Sequence, residues 1–324
     1  MCTSIAYREG EVLFGRNMDL DYHFGGVISV TPRKYTLVFR NLPPIKEHFG
    51  FIGMASPLGK DFPLYCEGMN EKGLFAAGLD FVGNAHYPPT ESVHGKKLSS
   101  FEFVPFILSS CASVSEARRA LDGISMDDTP YSVDIPLSPL HWHIADSRES
   151  VVVEPLAEGL KLWDNPADVM TNNPTFDFHL NNLCMYMNLR ASEPDGILAR
   201  SGHLKTFGRG MGSVGLPGDW SPPSRFVRAA YLSAASRTEA GKSRVSQLFH
   251  VLSAVSVTRG SVISSDGKES FTEYSCVISQ SDMTYYLRHY DNSRISAVRM
   301  TEEILSGNGI KNFEPVWKED ILYF

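Results

Sequence analysis

Several features that define common protein classes are missing from this 324-residue chain. Its five cysteines are scattered, odd in number and never spaced as CxxC, which excludes the usual zinc-binding patterns and a disulfide framework. No apolar run approaches the ~20 residues of a membrane span. No basic segment followed by an apolar one opens the chain, so we expect no secretory signal. We predict a cytoplasmic protein with reduced cysteines and no membrane partner.

Positive charge is also scarce. Lys and Arg number 30 against 37 Asp and Glu, a formal net charge of −7. A surface of this sign argues against nucleic acid or an anionic membrane as the main partner.

The order of predicted elements indicates the fold class. Short strands come first, then two helices, then strands, helices and closing strands. Parallel βαβ repetition is absent, so we predict an α+β protein whose antiparallel sheets carry helices on their outer faces. No internal repeat or interdomain linker interrupts residues 1–324, which we therefore treat as a single domain. The long Gly-, Pro- and Ser-rich loop Gly208–Pro223 is of the kind that serves a site or a subunit contact.

Local patterns place these elements. Gly10 favours a hairpin turn between strands Cys2–Tyr7 and Val12–Arg16. The other predicted strands are Val27–Val30, Tyr35–Phe39, Phe51–Ala55, Leu64–Glu67, Leu74–Phe81, Leu140–Ala145, Val151–Pro155, Leu160–Trp163, Phe271–Ser279, Thr284–Asp291 and Ile295–Met300. The predicted helices are Phe101–Cys111, Ser113–Gly123, Phe176–Arg190, Pro222–Ala235 and Val245–Val255.

The second residue carries the most informative chemistry. Removal of Met1 would give Cys2 a thiol and a free α-amine in one residue, a nucleophile beside its own base. An α-amine with an ordinary pKa of about 7.7–8.0 accepts protons near neutral pH. The alternative is that a small residue follows Met1 with no functional meaning, and Cys2 alone favours that alternative.

The hairpin brings further groups towards Cys2. If Cys2 begins one strand and Arg16-Asn17-Met18-Asp19 ends its partner, these ends meet. Arg16 would then lie near the sulfur and favour the thiolate, and Asp19 would hold or orient the amine. By spacing alone, a surface Arg and Asp in a turn fit equally well.

Metal and cofactor signals are weak. His141 and His143 alternate on a strand and share one face, which fits core packing or a surface pair better than a metal site. Gly208-Arg209-Gly210-Met211-Gly212 has the glycine content of a phosphate loop but no strand-to-helix junction. We predict neither a metal nor a cofactor.

A series of motifs resembles the choloylglycine hydrolase family. They are Met1-Cys2-Thr3, Phe14-Gly15-Arg16-Asn17-Met18-Asp19, Gly68-Met69-Asn70-Glu71-Lys72-Gly73-Leu74, Ala77-Gly78-Leu79-Asp80-Phe81, Val169-Met170-Thr171-Asn172-Asn173-Pro174-Thr175-Phe176, Val214-Gly215-Leu216-Pro217-Gly218-Asp219 and Pro223-Ser224-Arg225-Phe226-Val227-Arg228. Each is weak alone, but the ordered set is specific. The resemblance implies an N-terminal-nucleophile hydrolase with a four-layer αββα fold, two antiparallel sheets flanked by helices, that assembles as a homotetramer, here in a bacterial cytoplasm.

The resemblance also implies roles for individual residues. Cys2 matches the nucleophile and Arg16 and Asp19 its charged neighbours. Asn172 matches the asparagine that donates to the oxyanion, and Arg225 a second active-site arginine. The backbone N–H at Asp80 would be the other oxyanion donor, and such a donor is typically worth roughly 10²–10³ in rate.

The side chain at position 80 departs from the family pattern. Bile salt hydrolases typically have Asn there and penicillin V acylases tend to have Tyr. The backbone donor survives this substitution, but a carboxylate disfavours a neighbouring thiolate and repels an anionic substrate. Asp80 therefore puts substrate choice in question more than mechanism.

The family contains bile salt hydrolases and penicillin V acylases, and the leading prediction is cleavage of glycine- or taurine-conjugated bile acids. The alternatives are a penicillin V acylase and, in another class, a non-catalytic binding protein on the same scaffold. An apolar pocket for a steroid or phenyl group is predicted from one further set of residues, for each of which core packing is the competing role: Met18, Phe24, Phe62, Leu64 and Tyr65.

Overall fold

The computed structural model describes residues 1–59, 62–194 and 204–324. Its strands are β1 (Cys2–Tyr7), β2 (Leu13–Leu20), β3 (Val27–Thr31), β4 (Phe51–Ser56), β5 (Leu64–Asn70), β6 (Phe75–Asp80), β7 (Lys96–Ser99), β8 (Ile124–Asp127), β9 (Leu140–Ala145), β10 (Ser150–Leu156), β11 (Gly159–Asp164), β12 (Val169–Met170), β13 (Val262–Ile263), β14 (Glu269–Ser279), β15 (Thr284–His289), β16 (Asn292–Arg299) and β17 (Lys311–Phe313). Its α-helices are α1 (Phe103–Ser110), α2 (Val114–Leu121), α3 (Phe176–Leu183), α4 (Pro222–Ala235), α5 (Arg244–Ser253) and α6 (Glu302–Leu305). None of the described helices has the length and apolar character needed to cross a bilayer.

Two antiparallel sheets form the centre of the molecule. Sheet A has the strand order β12-β1-β2-β14-β15-β16, with β13 paired to β14, and sheet B has the order β11-β10-β9-β6-β5-β4-β3-β17. Phe14 of sheet A stacks on Phe75 of sheet B with ring centroids 4.8 Å apart, so the sheets face each other across an apolar core.

Helices cover the outer face of each sheet. α4 and α5 pack on sheet A, and α1 packs on β5 and β6 of sheet B, where Phe103 stacks on Trp142. Gly15 lets α5 approach closely, because a Cβ at this position would lie 3.0 Å from the Leu248 side chain. The predicted αββα sandwich of two antiparallel sheets is confirmed.

Two local predictions need correction, and one strand pair was not predicted. Tyr35–Phe39 is not a strand, since it makes one bridge, Leu37 to Ile45, beside a Pro43-Pro44 pair that has no N–H to continue a ladder. The helix predicted over Phe176–Arg190 ends at Leu183 and continues only as a 3₁₀ turn, because the following side chains are largely exposed and bury no apolar stripe. One parallel pair, β7 with β8, brackets α1 and α2 and was not predicted.

The predicted histidine pair lies in the interior. His141 stacks on Phe81, and His143 contacts Ser4 and Ser150 through its two ring nitrogens at 2.9 and 3.1 Å. Burial lowers the pKa of His141, and burial reinforced by the charge of Arg8 lowers the pKa of His143 to about 3. Both rings are therefore neutral members of the core at pH 7.

His143 should make the stability of the protein depend on pH. The pKa of His143 is lowered in the folded state. Below pH 6.5, about the ordinary pKa of histidine, the unfolded chain therefore binds a proton at this residue that the folded chain does not bind. Stability should fall from about pH 6.5 downwards, by up to ~1.4 kcal/mol per pH unit for this residue. His143→Asn should flatten the slope of unfolding free energy against pH between pH 6 and pH 4, measured by urea denaturation. His94→Asn, at an exposed position, is the control, and equal slopes in wild type and His143→Asn would contradict the assignment.

Candidate active site

The β1–β2 hairpin brings Cys2 to Arg16. Cys2 pairs with Met18 across the ladder, and Arg16 projects from the same face of β2, two residues away. Arg16 Nη2 lies 3.4 Å from the Cys2 sulfur, and Met18 Sδ lies 3.7 Å from it. A buried guanidinium at this distance stabilises a thiolate by charge.

Arg16 is itself held by sheet B. Its Nη1 donates to Glu67 Oε2 at 2.5 Å and to the Cys66 carbonyl at 2.9 Å, and its Nη2 donates to the Gly78 carbonyl at 2.6 Å. Burial alone would lower the pKa of Arg16, but Cys2 and Glu67 raise it well above the usual value. The guanidinium is thus a fixed positive charge that spans the two sheets beside the thiol.

Sequence reasoning missed the acidic partner of Arg16. Glu67 is fully buried and also accepts the hydroxyls of Tyr274 at 2.9 Å and Tyr285 at 2.6 Å. Burial and the charge of Glu67 raise the pKa of Tyr274 well above its ordinary value, so the hydroxyl stays protonated and donates. The sequence does show Glu67 as the only charged residue of its strand. It does not indicate which cation pairs with this carboxylate.

A second buried arginine fixes the other side of Cys2. Arg225, in the first turn of α4, donates to the Cys2 carbonyl at 2.5 Å, to Thr3 Oγ1 at 2.8 Å and to Asn172 Oδ1 at 2.7 Å. Ser221 caps this helix and prolines occupy its first two positions, a stable helix start at the site. Burial lowers the pKa of Arg225, and Asp19 opposes that effect.

Hydrogen bonds define the orientation of the Asn172 amide. Its Oδ1 also accepts the Cys2 N–H at 2.8 Å, and its Nδ2 donates to the Asp80 carbonyl at 2.9 Å. Because Arg225 can only donate, Oδ1 must face it, and Nδ2 keeps one further hydrogen to offer.

The Asp80 backbone points to the same place. Phe81 donates its N–H to Pro139 of the neighbouring chain segment, so the Asp80 N–H and carbonyl face away from β9, and the carbonyl accepts from Asn172. Asn172 accepts the Cys2 N–H and Asp80 lines the same cavity as Cys2, so an N–H group of each residue lies in the neighbourhood of Cys2.

Asp19 is buried within this group but incompletely paired. Its Oδ1 accepts the Thr272 hydroxyl at 2.6 Å, while Oδ2 has no hydrogen-bond partner and lies 3.9 Å from Arg225 Nη1. Burial raises the pKa of Asp19 although Arg225 and the chain's amino terminus lower it.

With Met1 in place, the α-ammonium belongs to Met1. It donates to the Asp19 carbonyl at 2.9 Å and lies 3.3 Å from Asp80 Oδ2. Burial lowers the pKa of this amine, but the neighbouring Cys2, Asp80 and Asp19 raise it overall. The nitrogen of Cys2 is an amide in this form and has no basic lone pair.

A cavity of about 460 Å³ opens from the Cys2 sulfur and is mostly apolar. Four of the predicted pocket residues line it: Met18, Phe24, Leu64 and Tyr65. Phe62 does not line it, because its ring is buried edge-on against Phe39 and Phe101, which places it behind the wall. Lining residues that the sequence did not indicate include Leu20, Tyr22, Leu58, Phe101, Val104, Ile135, Leu137, Leu140 and Trp142.

One cluster in the described residues has the composition of a metal site. Ligand atoms of His23, Glu273 and His289 lie within 4.8 Å of one another. However, Asp291 donates its N–H to His289 Nδ1, so the proton of a neutral ring sits on Nε2, 3.4 Å from Glu273 Oε1. Metal-binding histidines show the opposite arrangement, since their second ring nitrogen donates, so His289 lacks this feature of a metal ligand.

The model of the linear amide C–N hydrolases of the choloylglycine hydrolase family matches residues 2–313. The chain belongs to this family. It is 41% identical to the bile salt hydrolase/transferase of Lactiplantibacillus plantarum, with 94% of each chain covered, and 37% identical to that of Clostridium perfringens, with 97% of each covered.

Two solved structures have a fold similar to that of this chain. The C2A mutant of conjugated bile acid hydrolase from Clostridium perfringens superposes with a TM-score of 0.91 at 36% identity, covering 100% of this chain and 99% of that one. Penicillin V acylase from Agrobacterium tumefaciens shares the fold, with a TM-score of 0.77 at 23% identity over 97% of this chain and 91% of that one.

Glu67→Gln should destabilise the protein by about 3–5 kcal/mol, because it leaves the buried Arg16 charge without its carboxylate. Glu71→Gln, which removes the carboxylate of a more exposed pair with Arg33, is the matched control and should cost about 1 kcal/mol or less. Chemical denaturation measures both.

A double-mutant cycle tests the pairing itself. Arg16→Met combined with Glu67→Gln should cost clearly less than the sum of the two single changes, since neither buried charge is then left alone. Additive costs would show that Arg16 and Glu67 do not depend on each other.

Proposed function

We propose that this chain hydrolyses the amide bond of glycine- or taurine-conjugated bile acids, with Cys2 as nucleophile. The observation that carries the proposal is the buried Cys2 sulfur, which lies 3.4 Å from a buried guanidinium and lines a mostly apolar cavity of about 460 Å³. A steroid nucleus would fill the cavity, and its amide would meet the sulfur. The near-full-length relatives named for bile salt hydrolysis support this substrate class.

In the proposed reaction, the α-amine of a processed Cys2 takes the thiol proton and the thiolate attacks the amide carbon. The oxyanion accepts hydrogen bonds from Asn172 Nδ2 and the Asp80 N–H. The Cys2 ammonium then protonates the leaving nitrogen, the C–N bond breaks and a thioester remains. Water, deprotonated by the same amine, attacks the thioester, releases the bile acid and restores the thiol.

The geometry supports positioning roles for the remaining charged residues. Arg16 would stabilise the thiolate, Arg225 would hold Asn172 and the Cys2 carbonyl, and the unpartnered Asp19 Oδ2 would receive the Cys2 ammonium once it forms. A buried carboxylate oxygen without a partner is costly, and an ammonium nearby would satisfy it.

Penicillin V hydrolysis is the less favoured alternative. The penicillin V acylase of Pectobacterium atrosepticum is 28% identical over only 51% of this chain, whereas the bile salt hydrolases match nearly all of it. From the family resemblance we also propose that the protein is a homotetramer in a bacterial cytoplasm. Light scattering of the purified protein tests the tetrameric state.

The direct test is release of glycine and taurine from glycocholate and taurocholate, with phenoxymethylpenicillin assayed in parallel. Wild type should release both amino acids, and Cys2→Ser should lose nearly all activity, because a hydroxyl ionises far less than a thiol near neutral pH. Cys184→Ser, at an exposed cysteine away from the site, is the matched control. Near-wild-type rates in pure Cys2→Ser protein would end the mechanism.

The active protein should begin at Cys2. While Met1 is present, the Cys2 nitrogen donates to Asn172 as an amide and cannot act as a base. Intact-mass measurement of fully active enzyme should therefore show loss of the methionine mass alone. Retention of Met1 in fully active protein would overturn this expectation.

A further inference from the structure

The position of the Met1 ammonium shows what the site next to Cys2 can bind. This group lies between the Asp19 carbonyl, at 2.9 Å, and Asp80 Oδ2, at 3.3 Å. Met1 also accepts the Asp19 N–H through its own carbonyl at 2.9 Å. Loss of Met1 therefore leaves both acceptors free at a place of a size and polarity that hold a primary ammonium.

The charges around the cavity favour the same kind of ligand. Among the described residues that line it, the only acidic, lysine or arginine side chains are Arg16 and Asp80, and the one histidine, His23, already faces Glu273 Oε2 at 3.1 Å. Arg16 is 1% exposed and already bonded to a carboxylate and two carbonyls, whereas the Asp80 side chain is 43% exposed. An incoming cation therefore meets an accessible carboxylate at Asp80, whereas the Arg16 guanidinium is buried and the His23 ring already faces Glu273.

Asp80 also lies on the side of the reaction where the amine leaves. The Met1 nitrogen is separated from the Cys2 nitrogen by only two carbon atoms, and in the proposed function the Cys2 nitrogen delivers the proton to the departing amine. A charge on the amine half of a substrate would therefore approach Asp80, while the steroid half fills the apolar part of the cavity.

We propose that the Asp80 carboxylate and the Asp19 carbonyl form a subsite for a primary ammonium on the amine half of the substrate. This inference rests on the proposed function and specifies its substrate class: bile acid amides whose amine carries a second, protonated amino group are preferred over those carrying a carboxylate or sulfonate. The second ammonium keeps its proton throughout, so the bond changes of the hydrolysis are unaltered.

A matched pair of substrates tests the subsite. Taurocholate and N-(2-aminoethyl)cholamide both place a charge two carbons from the amide nitrogen, one a sulfonate and the other an ammonium. With enzyme beginning at Cys2, kcat/KM should be higher for the aminoethyl amide. Asp80→Asn should lower the ratio of the two kcat/KM values by about tenfold, through a loss on the cation and a gain on the anion, each of a few fold.

Two controls separate Asp80 from general charge. Asp21→Asn removes a carboxylate near the rim that pairs with Lys268 and does not line the cavity, so the ratio should stay within about twofold. In wild type, raising NaCl from 0.05 to 0.5 M should shrink the preference for the aminoethyl amide, since salt screens a partly exposed pair. Because the salt dependence is measured on the wild-type protein, it does not depend on whether a variant folds.

The possible outcomes distinguish failure of the ammonium subsite from failure of the proposed bile acid hydrolysis. If both amides are hydrolysed and the ratio is the same in wild type and Asp80→Asn, the ammonium subsite is wrong and the bile acid function stands. A wild-type preference for taurocholate that Asp80→Asn weakens also overturns the subsite. If neither amide is hydrolysed while phenoxymethylpenicillin is, the proposed function itself fails.

Discussion

The buried guanidinium of Arg16 is the interaction on which the arrangement around Cys2 depends. It contacts the sulfur from one side and Glu67, Cys66 and Gly78 from the other, so it joins the two sheets at the site. A buried charge is tolerated only when paired and hydrogen-bonded. The fold supplies that pairing through Glu67, which Tyr274 and Tyr285 hold in turn. The positive charge beside the thiol is therefore held in place by buried contacts to both sheets.

A second set of contacts fixes where the oxyanion would form. Arg225 orders the Asn172 amide by occupying its oxygen, which turns the amide nitrogen towards Asp80. The Asp80 N–H points the same way because the pairing of β6 with β9 alternates along the strand. In the proposed reaction, the Asn172 amide and the Asp80 N–H would meet the oxyanion while already held by these contacts, which is the preorganisation that electrostatic catalysis requires.

How much the sequence predicts depends on the range of the interaction. The β1–β2 hairpin is local, so its turn glycine and the meeting of Cys2 with Arg16 were predictable from spacing, and motif order was enough to identify the family and the αββα sandwich. The partnership of Arg16 with Glu67 joins strands of different sheets and has no local signal. Phe62 was placed in the pocket wall because a hydrophobic residue next to a predicted strand fits a wall and a core equally well. Tyr35–Phe39 was predicted as a strand from its composition. Composition does not show that the facing segment contains Pro43-Pro44, which has no backbone N–H to continue the ladder.

The charged residues of the site fall into two groups, one buried and one accessible to a substrate. Arg16, Arg225, Asp19 and Glu67 are all nearly inaccessible, and the two arginines already bond to protein acceptors, so a substrate offers them little new. They set the electrostatic field at the thiol. Asp80 differs because its carboxylate is accessible while its backbone takes part in the rigid strand. In the proposed reaction, Asp80 would therefore supply a backbone N–H that does not depend on the side chain, together with a side chain that is free to vary with the substrate. Because the two contributions are carried by different atoms, a change of side chain at position 80 can alter selectivity without dismantling the catalytic geometry.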